Sequence, residues 1–596
     1  MNQFPFYDKV KQESEVSLLD LKTVEDLAGL SGKKETPEVY LFLLSLFDAA
    51  AKGSLCIASK SVQIFFDQMS DSSFCFDPDE MKKLSITGSA ETDPYVPIIY
   101  FEGESDTYWY FQRYFTAKKS FDSEFQKLIQ SSSADTVKSA PVIDEILEAR
   151  TPEGFFLNED QKEAVRKVFR NRFTLISGGP GTGKTTVIQT ILSCFEAEKK
   201  DISRIFLAAP TGRAAQHINE KMKPKGLVEA CTIHRLLQIS FGNRFFYSRN
   251  NPLPAQAVLI DEVSMVDISL MKNLLEAIPD DSKVIFIGDR DQLPSVDSGA
   301  VLSHLIESAE EKKELENSIV YLKESQRSKG NIWQSACLIN DRILSLEDKM
   351  TSLNHFLEPL KNDEFENTLK QIDPVRNAFW LKPEEKAGFR EYQKILLQWF
   401  RFFYNDSYRE KIDELKKNPE LLSLVLSYIQ SNKILCLNKS GIRGAEWINR
   451  FFRQELARIL KIDLYRSDTW FSGLPVMMTV NRHKEKLFNG NIGMIIEDRV
   501  YFMIEGKAEH FPKDFLLPEL NLAFALTVHK SQGSEYGKVF LILPERQTRL
   551  LSKEMIYTGL TRAKEQFFLY GEKTVAEIGI NCKIERESGP DLGKIE

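Results

Sequence analysis

Leu175-Ile176-Ser177-Gly178-Gly179-Pro180-Gly181-Thr182-Gly183-Lys184-Thr185-Thr186 decides the fold, because a glycine-rich turn here separates a run that reads as a strand from one that reads as a helix. Arg172 to Ile176 is the strand, and Thr186 to Phe195 carries apolar residues at helical spacing. Between them, Gly178 to Thr185 satisfies the pattern G-x-x-x-x-G-K-[ST]. Such a turn aims successive backbone N–H groups inward, and the helix N-terminus adds partial positive charge, so the hollow suits phosphate oxygens. Lys184 adds a full charge that can reach the β- and γ-phosphates of a nucleotide, and the Thr185 hydroxyl can take a place on Mg²⁺. An ordinary glycine-rich loop is the plain alternative, but strand, loop and helix stand in the order that phosphate binding needs.

Outward from this loop the chain alternates short buried runs with helical stretches: Arg204 to Ala209, Val258 to Ile260 and Lys283 to Ile287. That alternation implies a parallel sheet covered on both faces, with ligands beyond the carboxyl ends of its strands. The chemistry-bearing residues stand at those ends. Asp261 and Glu262 close one strand; the first carboxylate suits Mg²⁺ and the second suits orienting and deprotonating a water, against the bland reading of an acidic turn. Gln292, in Gly288 to Pro294, can set its amide against a γ-phosphate. Thr211-Gly212-Arg213 offers small residues and main-chain N–H groups to a phosphodiester backbone, or Thr211 simply caps a helix. Upstream, Asn158 and Gln161 form a capping-box pair, and the Gln161 amide either completes that cap or reads an adenine edge.

The 596 residues exceed any single core and predict several domains. Hydrophobic residues at 42% and charged residues at 28% are globular values, and no apolar run reaches bilayer-spanning length. The N-terminus has neither a basic n-region nor an apolar h-region, so the expected compartment is the cytoplasm. Seven scattered cysteines without a C-x-x-C pair are expected to be reduced, buried and apolar in role. A net charge of −8 leaves room for a local basic groove. Residues 1–130 read as a mostly helical unit; Pro37 to Gly53 is a buried helix, and the aromatics around Arg113 suit docking better than base stacking. Ser131 to Pro141 reads as a linker, placed with its surroundings at 131–150.

The whole ordered set now carries a resemblance. The loop at Gly178, Thr211 to Ala215, Thr232 to Leu237, Asp261-Glu262, Gly288 to Pro294, Gln326-Arg327-Ser328, Leu526 to Glu535 and Tyr557 to Ala563 resemble the superfamily 1 helicase motifs in their order. Thr527 to Glu535, Tyr557 to Ala563 and Phe488 to Gly493 look like its RecD branch, the 5′-to-3′ motor of the RecBCD complex. The resemblance implies an α/β fold with two RecA-like parallel-sheet domains, at 151–330 and 331–596. It also implies a small SH3-like β insertion near 473–525; a charged stretch at 345–430 reads as an insertion or helical packing layer. It implies ATP and Mg²⁺ in a cleft between the domains, with Gly533 and Glu535 on the nucleotide side and Arg327 and Arg562 as arginine fingers. His234, Asn481, Asn489, His529, Lys530 and Ser531 join Thr211, Gly212 and Arg213 on the DNA side. RecB-like and RecC-like partners in a heterotrimer follow from the same likeness, and nuclease chemistry is expected in another subunit. The competing expectations are a standalone RecD-like helicase and, from a different class, a P-loop kinase or a nucleotide-gated scaffold.

Overall fold

The structure, a computed structural model, describes residues 4, 6–32, 36–70, 74–91, 95–130, 141–151, 154–222, 228–240, 244–299, 301–302, 305–306, 317–324, 330–341, 344–383, 388–415, 418, 421–464, 470–482, 484–504 and 506–593. The N-terminal unit starts with helices Tyr7–Glu13, Leu18–Leu30, Pro37–Ala51 and Ser59–Met69. Pro37–Ala51 begins on its proline and is buried at every position from Val39 to Leu46, as a core helix should be. The mostly helical unit also carries a small four-stranded sheet: β1 (Cys56–Ala58), β2 (Thr87–Ser89), β3 (Ile98–Glu102) and β4 (Thr107–Phe111), in the order β1-β4-β3-β2. Its aromatic residues pack inward, Trp109 against Phe42 and Phe76.

The glycine-rich loop follows β5 (Phe173–Gly178). With β6 (Ile205–Ala209), β7 (Cys231–Thr232), a small hairpin of β8 (Ile239–Ser240) and β9 (Arg244–Phe245), β10 (Ala257–Ile260), β11 (Lys283–Gly288) and β12 (Ile319–Leu322), the first parallel-sheet half is complete. Its main sheet runs β12-β5-β11-β10-β6-β7, every neighbouring pair parallel. Alternation along each strand feeds two separate cores. Phe173, Leu175, Val258, Ile260, Val284 and Phe286 face one, and Ile176, Ala257, Leu259, Ile285 and Ile287 face the other. Both faces therefore need helices, which is why these strands read as unbroken apolar runs.

One cover moves a boundary. Helix Gln112–Gln130 sends Phe121, Phe125, Leu128 and Ile129 into the first of those cores, with Phe125 edge-on to Phe173 at 5.2 Å. It belongs physically to the first parallel sheet although it falls within residues 1–130. Within the expected 131–150 linker, residues 131–140 lie outside the described residues, while Pro141–Glu148 is a helix whose Ile143 and Leu147 are buried in the opposite core.

The second half repeats the arrangement. β13 (Glu358–Pro359), β14 (Ala378–Leu381) and β15 (Asn432–Cys436) precede an antiparallel insert of β16 (Pro475–Met478), β17 (Ile492–Ile496), β18 (Arg499–Ile504), β19 (Lys507–Pro512) and β20 (Leu520–Leu522). β21 (Ala525–Thr527), β22 (Tyr536–Ile542) and β23 (Ala563–Tyr570) then return to a parallel sheet ordered β13-β14-β23-β22-β15-β21. The stretch 345–430 is corrected here. β14 pairs with β23 from Ala378↔Phe567 to Leu381↔Tyr570, so part of it is the second parallel sheet itself and not an inserted layer. Its charged helical flanks hid a four-residue buried strand. The insert is ordered β19-β18-β17-β16-β20, with β19 and β20 at its edges.

After helix Lys573–Asn581 the chain returns to the N-terminal unit. The Glu587 carboxylate accepts from the Ala58 N–H at 2.6 Å and from the Ser61 hydroxyl, and its carbonyl accepts from Leu55 N–H at 2.8 Å. Leu592 is buried beside Cys56, Tyr110 and Phe115. Three cysteines, Cys75, Cys337 and Cys582, are exposed, against the expectation that all are buried; each sits outside a sheet core. Among the described residues no helix is long and apolar enough to cross a membrane.

Candidate active site

The carboxyl ends of β5, β10 and β11 meet the second half across a cavity of about 540 Å³. The phosphate-binding loop forms one wall: Gly179, Pro180, Gly181, Gly183, Lys184, Thr185 and Thr186 all line it. Gly181 and Gly183 have φ of +78° and +84°, the left-handed region where a side chain is strained. The Lys184 ammonium donates to the Gly178 and Gly179 carbonyls at 2.6 and 3.1 Å, so it is folded over the loop it would serve.

Three residues expected at the nucleotide stand behind the loop instead, outside the cavity lining. Gln161 is 1% exposed; its amide oxygen accepts from the Asn158 N–H at 3.1 Å and its NH₂ donates to the Thr182 carbonyl at 2.9 Å. The capping box is therefore complete and the other end of the amide braces the loop, which leaves adenine reading without support. Thr182 is fully buried, its hydroxyl donating to the Gly179 carbonyl at 2.8 Å. Gly178 packs against Thr182 and Leu322.

Asp261 and Glu262 close the floor. Burial, then the adjacent Glu262 charge, pushes the Asp261 carboxyl up to about 6, with Lys184 pulling the other way. Glu262 adopts φ +54°, rare for a residue with a side chain, and one of its carboxylate oxygens is buried without a hydrogen-bond partner. A strained backbone and an unsatisfied acceptor facing a polar cavity fit a group held ready for a ligand, water or cation. With Thr185 beside them, these oxygens are the hard donor set that Mg²⁺ takes.

The far wall comes from the second half: Gly533, Glu535, Thr561 and Arg562. Glu535 pairs with Lys564 at 2.9 Å and approaches Lys221 and His217 of the first half at 3.8 and 3.9 Å. Arg562 is 4% exposed; it donates to the Gln292 amide oxygen at 2.5 Å and to the Thr558 and Ser534 carbonyls. Arg327, the other expected finger, lies outside the described residues. Sequence reasoning missed Phe155, Gln189, His217, Lys221 and Thr561 in the lining. Only the i, i+4 spacing of His217 and Lys221 on helix Gly212–Met222 was readable in advance.

The expected DNA residues separate into groups. The turn 488–491 of the insert sits on the helix that starts at Gly212. Phe488 occupies the space a β-carbon on Gly212 would need, the Arg213 guanidinium donates to the Gly490 carbonyl at 2.7 Å, and Asn491 donates to Gln216 at 3.1 Å. Asn481, which precedes the turn, accepts from the Asn489 N–H at 2.8 Å. Thr211 caps the helix, its hydroxyl accepting from Ala214 N–H at 3.2 Å. His234 is exposed beside Phe245. Burial, then the Arg586 charge, lowers the His529 pKa, and burial lowers that of Lys530. Ser531 is fully buried, with its hydroxyl donating to the Val528 carbonyl at 2.6 Å. The expectation of DNA contact is corrected there: the hydroxyl closes a turn out of a strand's reach.

Residues 161–298 match the AAA domain family, and residues 522–570 match the UvrD-like helicase C-terminal domain family. With two parallel-sheet halves facing one P-loop cavity, the protein is a helicase motor of the superfamily 1 class. The RecBCD enzyme subunit RecD of Haemophilus influenzae is 30% identical over 484 residues, covering 75% of this chain and 74% of that one. The Mycobacterium tuberculosis RecBCD enzyme subunit RecD is 26% identical over 602 residues, 97% of this chain and 95% of that one. The chain belongs to the RecD family. Among solved structures, a Bacteroides Pif1 bound to single-stranded DNA is 16% identical, covers 70% of this chain and 92% of that one, and superposes with a TM-score of 0.37.

Proposed function

We propose that this chain, an ATP-dependent DNA helicase of the RecD type, moves 5′ to 3′ on single-stranded DNA as one subunit of a heterotrimer with RecB-like and RecC-like chains. The observation that carries the reading is the composition of one cavity, with Lys184, Asp261 and Glu262 from the first half and Arg562 from the second. A site split in this way is complete only when the halves are apposed, so nucleotide turnover and relative motion of the halves are coupled.

ATP binds with its phosphates on the Gly179 to Thr186 loop, and Phe155, at the cavity edge, stacks on the base. Thr185 and Asp261 would hold Mg²⁺, which supplies charge neutralisation at the phosphates. Lys184 leaves the loop carbonyls for the phosphate oxygens, because a full negative charge outcompetes two neutral acceptors. Glu262 orients the attacking water and takes its proton. Arg562, with Arg327, adds positive charge as the transition state forms. Cleft closure then shifts the grip on a strand running along Thr211, Gly212, Arg213, His234, Asn481, Asn489, His529 and Lys530. The N-terminal unit is the docking part of the chain, and the five-stranded insert is the family's small SH3-like element. The protein works in the cytoplasm, in double-strand break repair, and nuclease action belongs to a partner subunit.

The test uses the chain purified from its host with the subunits that accompany it. RecB-like and RecC-like chains should co-purify, and the complex should unwind a 5′-tailed duplex. Lys184→Ala in this chain should lower its DNA-stimulated ATP hydrolysis by a factor of roughly 10² or more, the scale of losing one preorganised charge. Unchanged turnover in that variant would sink the assignment.

A further inference from the structure

At the cavity wall, four buried side chains from the two halves form one hydrogen-bonded series, Gln292 and Arg562 lining the cavity and Asp289 and Tyr557 lying outside its lining. The Tyr557 hydroxyl donates to Asp289 Oδ2 at 3.0 Å, and the Gln292 NH₂ donates to the same oxygen at 3.1 Å. The other end of the Gln292 amide accepts from Arg562 at 2.5 Å. Asp289 Oδ1 accepts from the Asp291 N–H at 3.0 Å. Tyr557 and Arg562 belong to the second half and Asp289 and Gln292 to the first, and all four are nearly excluded from solvent. The Tyr557 hydroxyl also stands 3.0 Å from where a β-carbon on Gly179 would be, hard against the phosphate-binding loop. A further contact ties the same helix to the loop that carries Asp289 and Gln292, Leu293 N–H donating to the Thr558 hydroxyl at 3.0 Å.

A glutamine amide can be held either way round, and its neighbours decide which end faces a cation. Asp289 Oδ2 accepts from the Gln292 NH₂, which fixes that end of the amide and leaves its oxygen for the Arg562 guanidinium. The carboxylate is held in turn by a hydroxyl that arrives from the opposite half. We infer that Tyr557 and Asp289 are positioning residues for ATP hydrolysis: Tyr557 acts through the Asp289 carboxylate to aim the Gln292 amide at Arg562, so the pair is aligned only when the halves are closed. Opening the cleft removes Tyr557 and Arg562 together, which releases Gln292 at both ends. This rests on the ATP-site reading above.

The experiment measures DNA-stimulated ATP hydrolysis by the purified complex carrying Tyr557→Phe, Gln292→Ala or both, with the thermal midpoint and binding of a fluorescent ATP analogue measured in parallel. Tyr557→Phe should lower kcat about tenfold or more while KM for ATP stays within about twofold, the pattern of lost alignment and not of lost binding. In the Gln292→Ala background it should lower kcat no further. An unchanged kcat, or an equal drop in both backgrounds, overturns the inference. If Tyr557→Phe lowers the thermal midpoint, Asp289→Ala replaces it; it leaves the Gln292 NH₂ without its acceptor, and the same two outcomes decide. Lys184→Ala run alongside separates the two failures. An active Lys184→Ala sinks the ATP site itself, whereas an inactive one beside an unimpaired Tyr557→Phe sinks only the positioning role.

Discussion

Gly183 shows how one residue can be fixed by two constraints. Its φ of +84° is the left-handed region, and a β-carbon there would collide with the Gln161 NH₂ that braces the Thr182 carbonyl. Gly183→Ala would have to break that brace or flip the loop, at a backbone cost of roughly 1–2 kcal/mol before the clash is counted. The expected result is a loss of affinity for a fluorescent ATP analogue of about tenfold or more, since 1.4 kcal/mol is a factor of ten. Wild-type affinity in that variant would show that the loop tolerates another shape. The glycine was legible from the motif, and so was the Gln161 cap. Which end of the Gln161 amide did what was not, because the Thr182 carbonyl it binds is 21 positions away.

Helix Gln112–Gln130 makes the same point for an element. Its apolar face reads as amphipathic in isolation and gives no sign of which sheet it covers. In the fold it stacks Phe121 on Phe125 and sets Phe125 against Phe173 and so toward Phe286. Phe125→Ala should therefore destabilise the motor half by about 3–5 kcal/mol, read as a lower midpoint in denaturant. By the same reasoning a chain starting at residue 131 should be poorly soluble, and one starting at residue 112 should keep its fold. Equal solubility of the two truncations would contradict the placement of this helix in the motor core. β14 was illegible for a related reason: a four-residue buried strand has no periodicity of its own, and only pairing with β23 identifies it.

At the scale of the whole molecule, the returning C-terminal segment ties the ends of the chain together. Ile584 N–H donates to the Glu554 carboxylate at the foot of the helix that carries Tyr557, and Glu587 and Leu592 hold the N-terminal unit. The buried Lys118–Asp122 pair, 2.7 Å apart, receives the Leu592 N–H at 2.9 Å. Ending the chain at Cys582 would leave that carboxylate and the pocket around Tyr110 open to water. Such a truncation should lower the thermal midpoint by several degrees, as a loss of a few kcal/mol does in a chain of this type, and should speed proteolysis of the N-terminal unit. An unchanged protease half-life would mean the segment is ornamental to stability. Nothing in its composition announced the contact, since a segment so rich in charge and glycine reads as a solvated tail.

By itself the sequence determined the local chemistry: the phosphate loop, the acidic pair, the ordered motifs and the parallel, doubly covered sheets. Each depends on residues that are neighbours in the chain or on the spacing of a single element. Only the tertiary structure decided what lies opposite. The apposition of Tyr557 and Arg562 with Asp289 and Gln292, the burial of Ser531, the withdrawal of Gln161 behind its loop and the seat of Glu587 all join residues far apart in sequence. Pattern and spacing report which face of an element is apolar; packing selects its partner, and in this chain that partner completes the site.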